Sequence, residues 1–403
     1  MRSILLSLVV LAGSVTLPRQ GTEFSRLVAR LSEPGGYFDS DNLVSNETSY
    51  LHVMPALRAL QVRGGAYIGV GPEQNFSYIA EIRPRFAILI DIRRDNMLLH
   101  LLFKAMFDAA PNRIEYLCLL YGRPAPPSPS RWTNRTLEDL LTYIDITPAD
   151  SALHDRVHHA LMERVTKYGV PLSDSDRVTL RRFHDEFVGA GLGIRFTSLG
   201  RPTRPGYPTE RDLYLSTDLE GHQASYLTSE ERYRVLRDLE QHDRIIPVVG
   251  DLSGATAMKA IAGYLKESGL LVSALYTSNV EMYLFRQGNF PKFVDNVRAL
   301  PSNASSVIIR SLFGGWRQGE PVPMPLPAPG HLSVQLLQGF PTFLRLTAHP
   351  DSIAYWQILQ EGVVEPRPPA SRPRERRRRR RQRIGSSRRP ERSPSLRIRL
   401  DDS

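Results

Sequence analysis

Residues 66–92 read AYIGVGPEQNFSYIAEIRPRFAILIDI. The short apolar run Ala66-Tyr67-Ile68-Gly69-Val70 predicts a strand, and Gly69-Val70-Gly71-Pro72 predicts a glycine turn out of it. Residues 75–82 place Phe76, Ile79 and Ala80 on one helical face. Pro84 ends that helix, because the residue before a proline is pushed out of the α region. Residues 86–92 are almost wholly apolar, as expected of a parallel strand buried on both faces. Residues 96–109 return to an amphipathic helical period. The result is a β-α-β-α unit with short connections, a crossover that is right-handed almost without exception.

Such a unit carries a binding expectation. In open α/β sheets ligands sit at the carboxyl ends of the strands, where the connections diverge. A glycine there lets a ligand approach the backbone, and free N–H groups at the next helix meet its acceptors. Gly69 and Gly71 are therefore expected to bind a cofactor. Asp91 closes the second strand 22 residues after Gly69, near the spacing of about twenty at which an acid accepts from ribose hydroxyls. The plainer alternative is a glycine turn that serves backbone geometry alone, with Asp91 capping a helix. The third glycine of a dinucleotide fingerprint is missing, and Pro72-Glu73-Gln74-Asn75 stands in its place. A pyrophosphate near Glu73 would be repelled, which argues against NAD or FAD. S-adenosylmethionine, cationic or zwitterionic, tolerates an acid there.

Outward from this unit, the alternation is interrupted and then resumes. Residues 22–32 and 51–61 read as helices before it, with Pro55 in the first turn of the second. The loop 33–52 between them is dense in polar and aromatic residues and predicts either a pocket lid or an ordered surface loop. Residues 110–240 carry a proline-rich turn at 124–129 and helical patterns at 136–143, 151–168, 173–188 and 229–241, a largely helical insertion. Strands follow at 245–249, 270–275 and 306–311, with helices at 255–267 and 290–300. Residues 332–337 and 343–346 are expected as antiparallel strands and 352–360 as a last helix. The fold expected is α/β, Rossmann-like, with a methyltransferase-type, mainly parallel sheet in a domain over residues 22–360. Its strand 66–70 is central, between 86–92 and 270–275.

Further candidates lie after the later strands. Asp251, in Gly250-Asp251-Leu252-Ser253, is placed either to accept from an adenine amino group or to cap the next helix. In Tyr276-Thr277-Ser278-Asn279-Val280-Glu281, Asn279 and Glu281 are the catalytic candidates, an amide and an acid suited to orienting an acceptor or taking its proton. They serve equally to bind each other or to cap a helix. His154 and His158 form an i, i+4 pair with no third ligand at suitable spacing, so a solvated face is expected there and no metal. The sequence contains neither a Gly-x-Ser-x-Gly elbow nor a P-loop, which leaves hydrolase and NTPase readings unsupported.

Charge divides the chain. Its 403 residues carry a formal net charge of +10. Residues 366–403 hold 15 arginines and 4 acidic residues, which leaves 37 basic and 38 acidic groups in the rest. The body is neutral and gives no reason to expect specific nucleic-acid binding. The Pro/Arg/Ser-rich segment 361–403 lacks the apolar content to fold, and is expected as a disordered tail with non-specific affinity for polyanions. Cys118 is the single cysteine, which rules out an intrachain disulfide and points to an inert buried thiol. At the other end, residues 1–21 resemble a signal peptide: Met1-Arg2, then an apolar stretch over 4–17 that is short for a membrane span and lacks a good cleavage site. Export is expected, with a cytoplasmic protein retaining an apolar N-terminus as the alternative.

Four strings, SEPGGYFD (32–39), GVGPEQNFSYIA (69–80), DIRRDN (91–96) and YTSNVEMYLF (276–285), together resemble an uncharacterised bacterial family named after a Leptospira hypothetical protein, a domain of unknown function. The resemblance covers roughly residues 24–360 and leaves out the Arg-rich tail. It implies a fold like that of S-adenosylmethionine-dependent methyltransferases and supplies no substrate or catalytic residue. The expectation is an S-adenosylmethionine-binding, methyltransferase-like protein acting on a small molecule, with Gly69, Gly71, Asp91 and Asp251 holding the cofactor. The competing expectation is a non-enzymatic, exported nucleoside- or ligand-binding protein that retains the fold. Oligomeric state is left open.

Overall fold

The computed structural model describes residues 21–204, 206–313, 325–361 and 363–364. The expected leader, apart from Gly21, and nearly all of the expected tail lie outside the described residues. Helix α1 (Glu23–Leu31) and the short α2 (Met54–Ala59) flank a loop. Then β1 (Ala66–Val70), α3 (Gln74–Ile82), β2 (Phe86–Asp91) and α4 (Arg94–Ala109) form the β-α-β-α unit. Helices α5 (Arg113–Leu120), α6 (Leu137–Ile146), α7 (Ser151–Lys167), α8 (Asp174–Ala190), α9 (Glu210–Leu215) and α10 (Glu230–Gln241) occupy the block expected as a helical insertion. The alternation resumes with β3 (Ile245–Val249), α11 (Ala257–Glu267), β4 (Val272–Ser278), α12 (Val280–Gln287), α13 (Phe290–Ala299) and β5 (Val307–Phe313). Last come β6 (Ser333–Gly339), α14 (Phe340–Leu346), α15 (Tyr355–Ile358) and the two-residue β7 (Val363–Val364).

The fold is α/β, built on one mixed, mostly parallel sheet in the order β3-β2-β1-β4-β5-β6-β7. Strands β3 to β5 are parallel, β6 is antiparallel to β5, and β7 is antiparallel to β6. All five residues of β1 are buried, as are the first five of β2, which is why both read as continuous apolar runs. Pro247 sits inside β3 without breaking the sheet, because β3 is an edge and has a strand on one side only. The carboxyl end of that edge is covered by the chain after α1: Glu33 N donates to Val249 O at 2.9 Å, and Val249 N donates to Ser32 Oγ at 3.1 Å. Helices α3, α4 and α10 pack together, and α1 and α13 both pack on α11. Helices α7 and α8 pack on α4. The described residues all fall within one compact unit.

Three expectations are corrected. Residues 343–346 form part of helix α14, because Pro341 suits a first helical turn and Phe340 and Phe343, one turn apart, are both buried, Phe343 against Phe290 and Phe293. Strand β4 runs on to Ser278, three residues past its expected end. Helices α5 and α9 form where none was expected, started by Asn112, which accepts from Glu115 N, and by a Thr209–Asp212 capping box. Cys118 lies within α5, where burial pushes its thiol up to about 12, so it stays a protonated packing group.

Candidate functional site

A cavity of about 190 Å³ opens at the carboxyl ends of β1, β2, β3 and β4. Val70 and Gly71 reach it from β1, Asp91 and Ile92 from β2, Gly250 and Asp251 from β3, and Ser278 and Asn279 from β4. The chain winds from β1 outward to β3 and then returns to build β4 and β5 on the other side of β1. That reversal leaves a crevice between diverging connections, the usual place for a ligand in an open sheet.

The glycine turn is locked from below. Asn75 Nδ2 donates to the carbonyls of Val70 (2.9 Å), Gly71 (3.2 Å) and Pro72 (2.7 Å), while its Oδ1 accepts from Tyr67 Oη at 2.7 Å. A Cβ on Gly69 would stand 2.0 Å from Asn75 Oδ1 and 2.6 Å from Tyr67 Oη, so Gly69 is required by this lock and does not line the cavity. Gly71 does line it, with φ +85°, a conformation glycine adopts without strain. His100 Nε2 lies 2.9 Å from Gly71 O. Burial lowers the His100 pKa to about 4, so the ring is neutral at pH 7 and Nε2 carries the proton it donates. Glu73 is buried, its pKa is raised by that burial and by nearby Glu210, and it is not among the cavity residues. It is buried outside the cavity, in surroundings that favour its protonated form, so the electrostatic argument it was expected to supply against a pyrophosphate is weakened.

Asp91 lines the cavity, but its carboxylate is already engaged. Oδ1 accepts from Arg93 N (2.9 Å) and Nε (3.2 Å), and Oδ2 accepts from Arg93 Nη2 (3.2 Å). Of about four acceptor positions on a carboxylate, one remains on Oδ2 for a ligand. Arg93 is held in turn by the carbonyls of Ser40 (2.7 Å) and Asp41 (2.6 Å). Asp251 also lines the cavity, and its Oδ1 accepts from Ser253 N (2.7 Å) and Oγ (2.8 Å) in a local turn. The N-terminus of α11 is capped from elsewhere: Glu33 accepts from Thr256 N and Ala257 N, and also from Asp251 N. Burial raises the Glu33 pKa, but these hydrogen bonds outweigh it and hold the carboxyl below its usual range. Asp251 is thereby released from the capping role that competed with ligand binding.

The two catalytic candidates separate. Asn279 lines the cavity. Glu281 does not: it is fully buried one helical turn away, where it accepts from Arg310 Nε at 3.1 Å and from Thr277 Oγ1 at 3.0 Å. Because β4 extends to Ser278, helix α12 starts at once and turns Glu281 toward β5.

The loop 32–53 supplies the cavity's outer wall with Tyr37, Phe38, Asn42, Asn46 and Glu47. Gly35 and Gly36 let it lie on the strand ends. Gly36 N donates to Ile92 O at 2.7 Å, and a Cβ on Gly36 would stand 2.7 Å from the Ile92 side chain. Phe38 meets Tyr283 of α12 edge to face at 5.7 Å. Glu47 is 1% exposed and was not singled out by sequence. Tyr276 Oη donates to it at 2.6 Å and Gln335 Nε2 at 2.9 Å, and the hydroxyls of Ser278 and Ser311 touch it. His154 and His158 lie near His184, with His154 Nε2 2.6 Å from Asp185 Oδ1. No described histidine belongs to a metal-ready group except exposed His222, beside Asp218 and Glu220. Among the described residues no helix is long and apolar enough to cross a membrane.

The chain has no match among curated proteins. The model of a family described as a domain of unknown function, DUF7790, matches residues 42–123 and 202–361. The matched segments carry strands β1 to β6, together with Glu47, Gly71, Asp91, Asp251 and Asn279; the stretch between them holds α6, α7 and α8. With more than half its length matched, the chain belongs to the uncharacterised family DUF7790.

Proposed function

We propose that the cavity binds an adenine nucleoside, S-adenosylmethionine in the first place, and that the protein is methyltransferase-like with a small-molecule acceptor. One observation carries the reading: Gly71, Asp91, Asp251 and Asn279, from four different strand ends, line a single cavity beside the strand-order reversal. The β3-β2-β1-β4-β5 order supports a Rossmann-like sheet. Gln74, standing where a dinucleotide fingerprint has its third glycine, lines the cavity beside the Gly71 turn, narrows the approach to it and favours a ligand without a pyrophosphate. The withdrawal of Glu281 into its ion pair with Arg310 favours the second reading, a protein that binds the nucleoside without chemistry.

Calorimetry of the full chain with S-adenosylmethionine, S-adenosylhomocysteine and NAD in parallel tests the proposal. Binding of the two adenosyl amino acids and not of NAD is expected. Binding of NAD alone, or of none of the three, rejects it. Methyl transfer to a small molecule by the loaded protein separates the enzyme from the binder.

A further inference from the structure

We propose that the cavity wall formed by Glu47 and Gln74 is a seat for an ammonium group, so that the bound molecule or its reaction partner is an amine. The proposal deepens the nucleoside reading and rests on the same cavity. The other buried glutamates among the described residues either have a cation or have their pKa raised by burial. Glu281 has Arg310, Glu230 has Arg113, Glu240 has Lys104, and Glu81 has Arg58 and Arg232. Glu73 and Glu210 have no salt-bridge cation among the described residues, and burial raises their pKa values. Glu47 is also without a Lys, Arg or His in salt-bridge range among the described residues, yet it lines a cavity and its contacts are hydroxyls and an amide.

Hydrogen-bond direction fixes what this wall offers. Gln335 Nε2 has only protons to give. Tyr276 Oη has one proton, and it goes to Glu47. Gln74 must therefore present its Nε2 to Tyr276 Oη, at 3.3 Å, which leaves Gln74 Oε1 buried without a partner among the described residues. A carboxylate and an orphan amide oxygen thus flank one tyrosine hydroxyl, and both residues line the cavity. Ser278, at φ +52°, adopts a conformation uncommon outside glycine, and its hydroxyl meets Glu47. Strain of this kind persists where the surroundings hold it, often at binding sites. An ammonium group brings a positive charge and three N–H donors, which meets both the uncompensated acid and the unpaired oxygen.

The amine has two sources: the amino-acid tail of the nucleoside, or a separate acceptor. Calorimetry of the full chain and of Glu47→Gln distinguishes them. The first arm compares S-adenosylhomocysteine with 5′-methylthioadenosine, which lacks the tail. The second compares n-butylamine with n-butanol, titrated into protein saturated with 5′-methylthioadenosine. The expected result is a preference of about tenfold for the amine in one arm, lost in Glu47→Gln, with 5′-methylthioadenosine affinity unchanged. Loss in the first arm assigns the seat to the tail, and loss in the second to an acceptor. A preference in neither arm, a preference that survives Glu47→Gln, or an equal fall for both nucleosides overturns the proposal. If 5′-methylthioadenosine does not bind the native chain, the nucleoside reading fails; the butylamine arm on the empty protein then decides the ammonium seat alone.

Discussion

Replacing Gly69 by alanine drives a methyl group into Asn75 Oδ1 and Tyr67 Oη, both buried and both committed to the turn. Overpacking of this kind costs about 1–3 kcal/mol, so urea denaturation of Gly69→Ala should show that loss, and loosening of the turn should weaken nucleoside binding with it. Asp91→Ala should behave differently from a simple loss of ligand contact. It strips Arg93, itself 5% exposed, of its carboxylate and leaves a buried guanidinium on two carbonyls. Breaking a buried pair from one side costs about 3–5 kcal/mol; some of that is offset here by the retained carbonyl bonds. A stability loss of at least about 1 kcal/mol is expected, measured in urea, alongside weaker nucleoside binding; an unchanged midpoint would mean that Arg93 finds another partner. Sequence pointed to Gly71, Asp91, Asp251 and Asn279 as positions lining the cavity because each closes an apolar strand or lies within a few residues of its end. Glu47 was not legible, since Tyr276, Ser278, Ser311 and Gln335 stand 229 to 288 residues further along the chain. Arg93 was equally hidden, because nothing in Asp91-Ile92-Arg93 says that the side chain folds back.

The elements were legible where period and burial agree, as in β1, α3 and β2, and less so where tertiary contacts decide. The end of β4 is one such place: its pairing with β5 carries a bulge between Tyr276 and Ser278, and the extra length moves Glu281 out of the cavity. The packing of α7 against α8 is another, since the histidines on α7 meet one on α8 that the sequence reading passed over. His184 of α8 is fully buried, its Nε2 donates to Leu119 O at 2.9 Å, and its ring lies 4.5 Å from that of His154 and 5.5 Å from that of His158. Burial lowers its pKa to about 3, against a weaker opposing effect of the Leu119 bond; His154 and His158 lower it further and Asp185 raises it. A histidine with a depressed folded pKa is neutral in the fold, so the unfolded chain takes up its proton first. Its stabilising contribution is complete above about pH 6.5 and declines as the pH falls from there toward 3. Buried Glu210 and Glu240, raised by burial to about 7 and about 8, act in the opposite sense: their contribution is complete below about 4.5 and declines as the pH rises. The whole-chain profile therefore mixes both signs, and the difference between wild type and His184→Gln isolates the histidine. Between pH 6 and 4.5 the advantage of wild type should shrink by about 1.4 kcal/mol per pH unit, read from urea midpoints; a constant difference would mean that His184 is already charged in the fold.

At the scale of the whole molecule, charge and cavity belong to different parts of the chain. The cavity is lined by residues between Tyr37 and Gln287, whereas 15 of the 52 basic residues fall in residues 366–403. An Arg-rich segment attracts polyanions through counterion release and screened Coulomb attraction, both of which fade as salt rises past about 0.15 M. A chain ending at Glu365 loses 15 arginines and 4 acids, which takes the net charge from +10 to −1. The intact chain should therefore be retained on heparin at low salt and elute as ionic strength increases, while the shortened chain flows through. Nucleoside affinity should be the same in both, because no cavity residue is removed. If the shortened chain still binds heparin, the body has a basic face that its neutral total conceals. If instead it loses nucleoside affinity, the arginines act on the cavity, and the division of labour between body and tail is wrong.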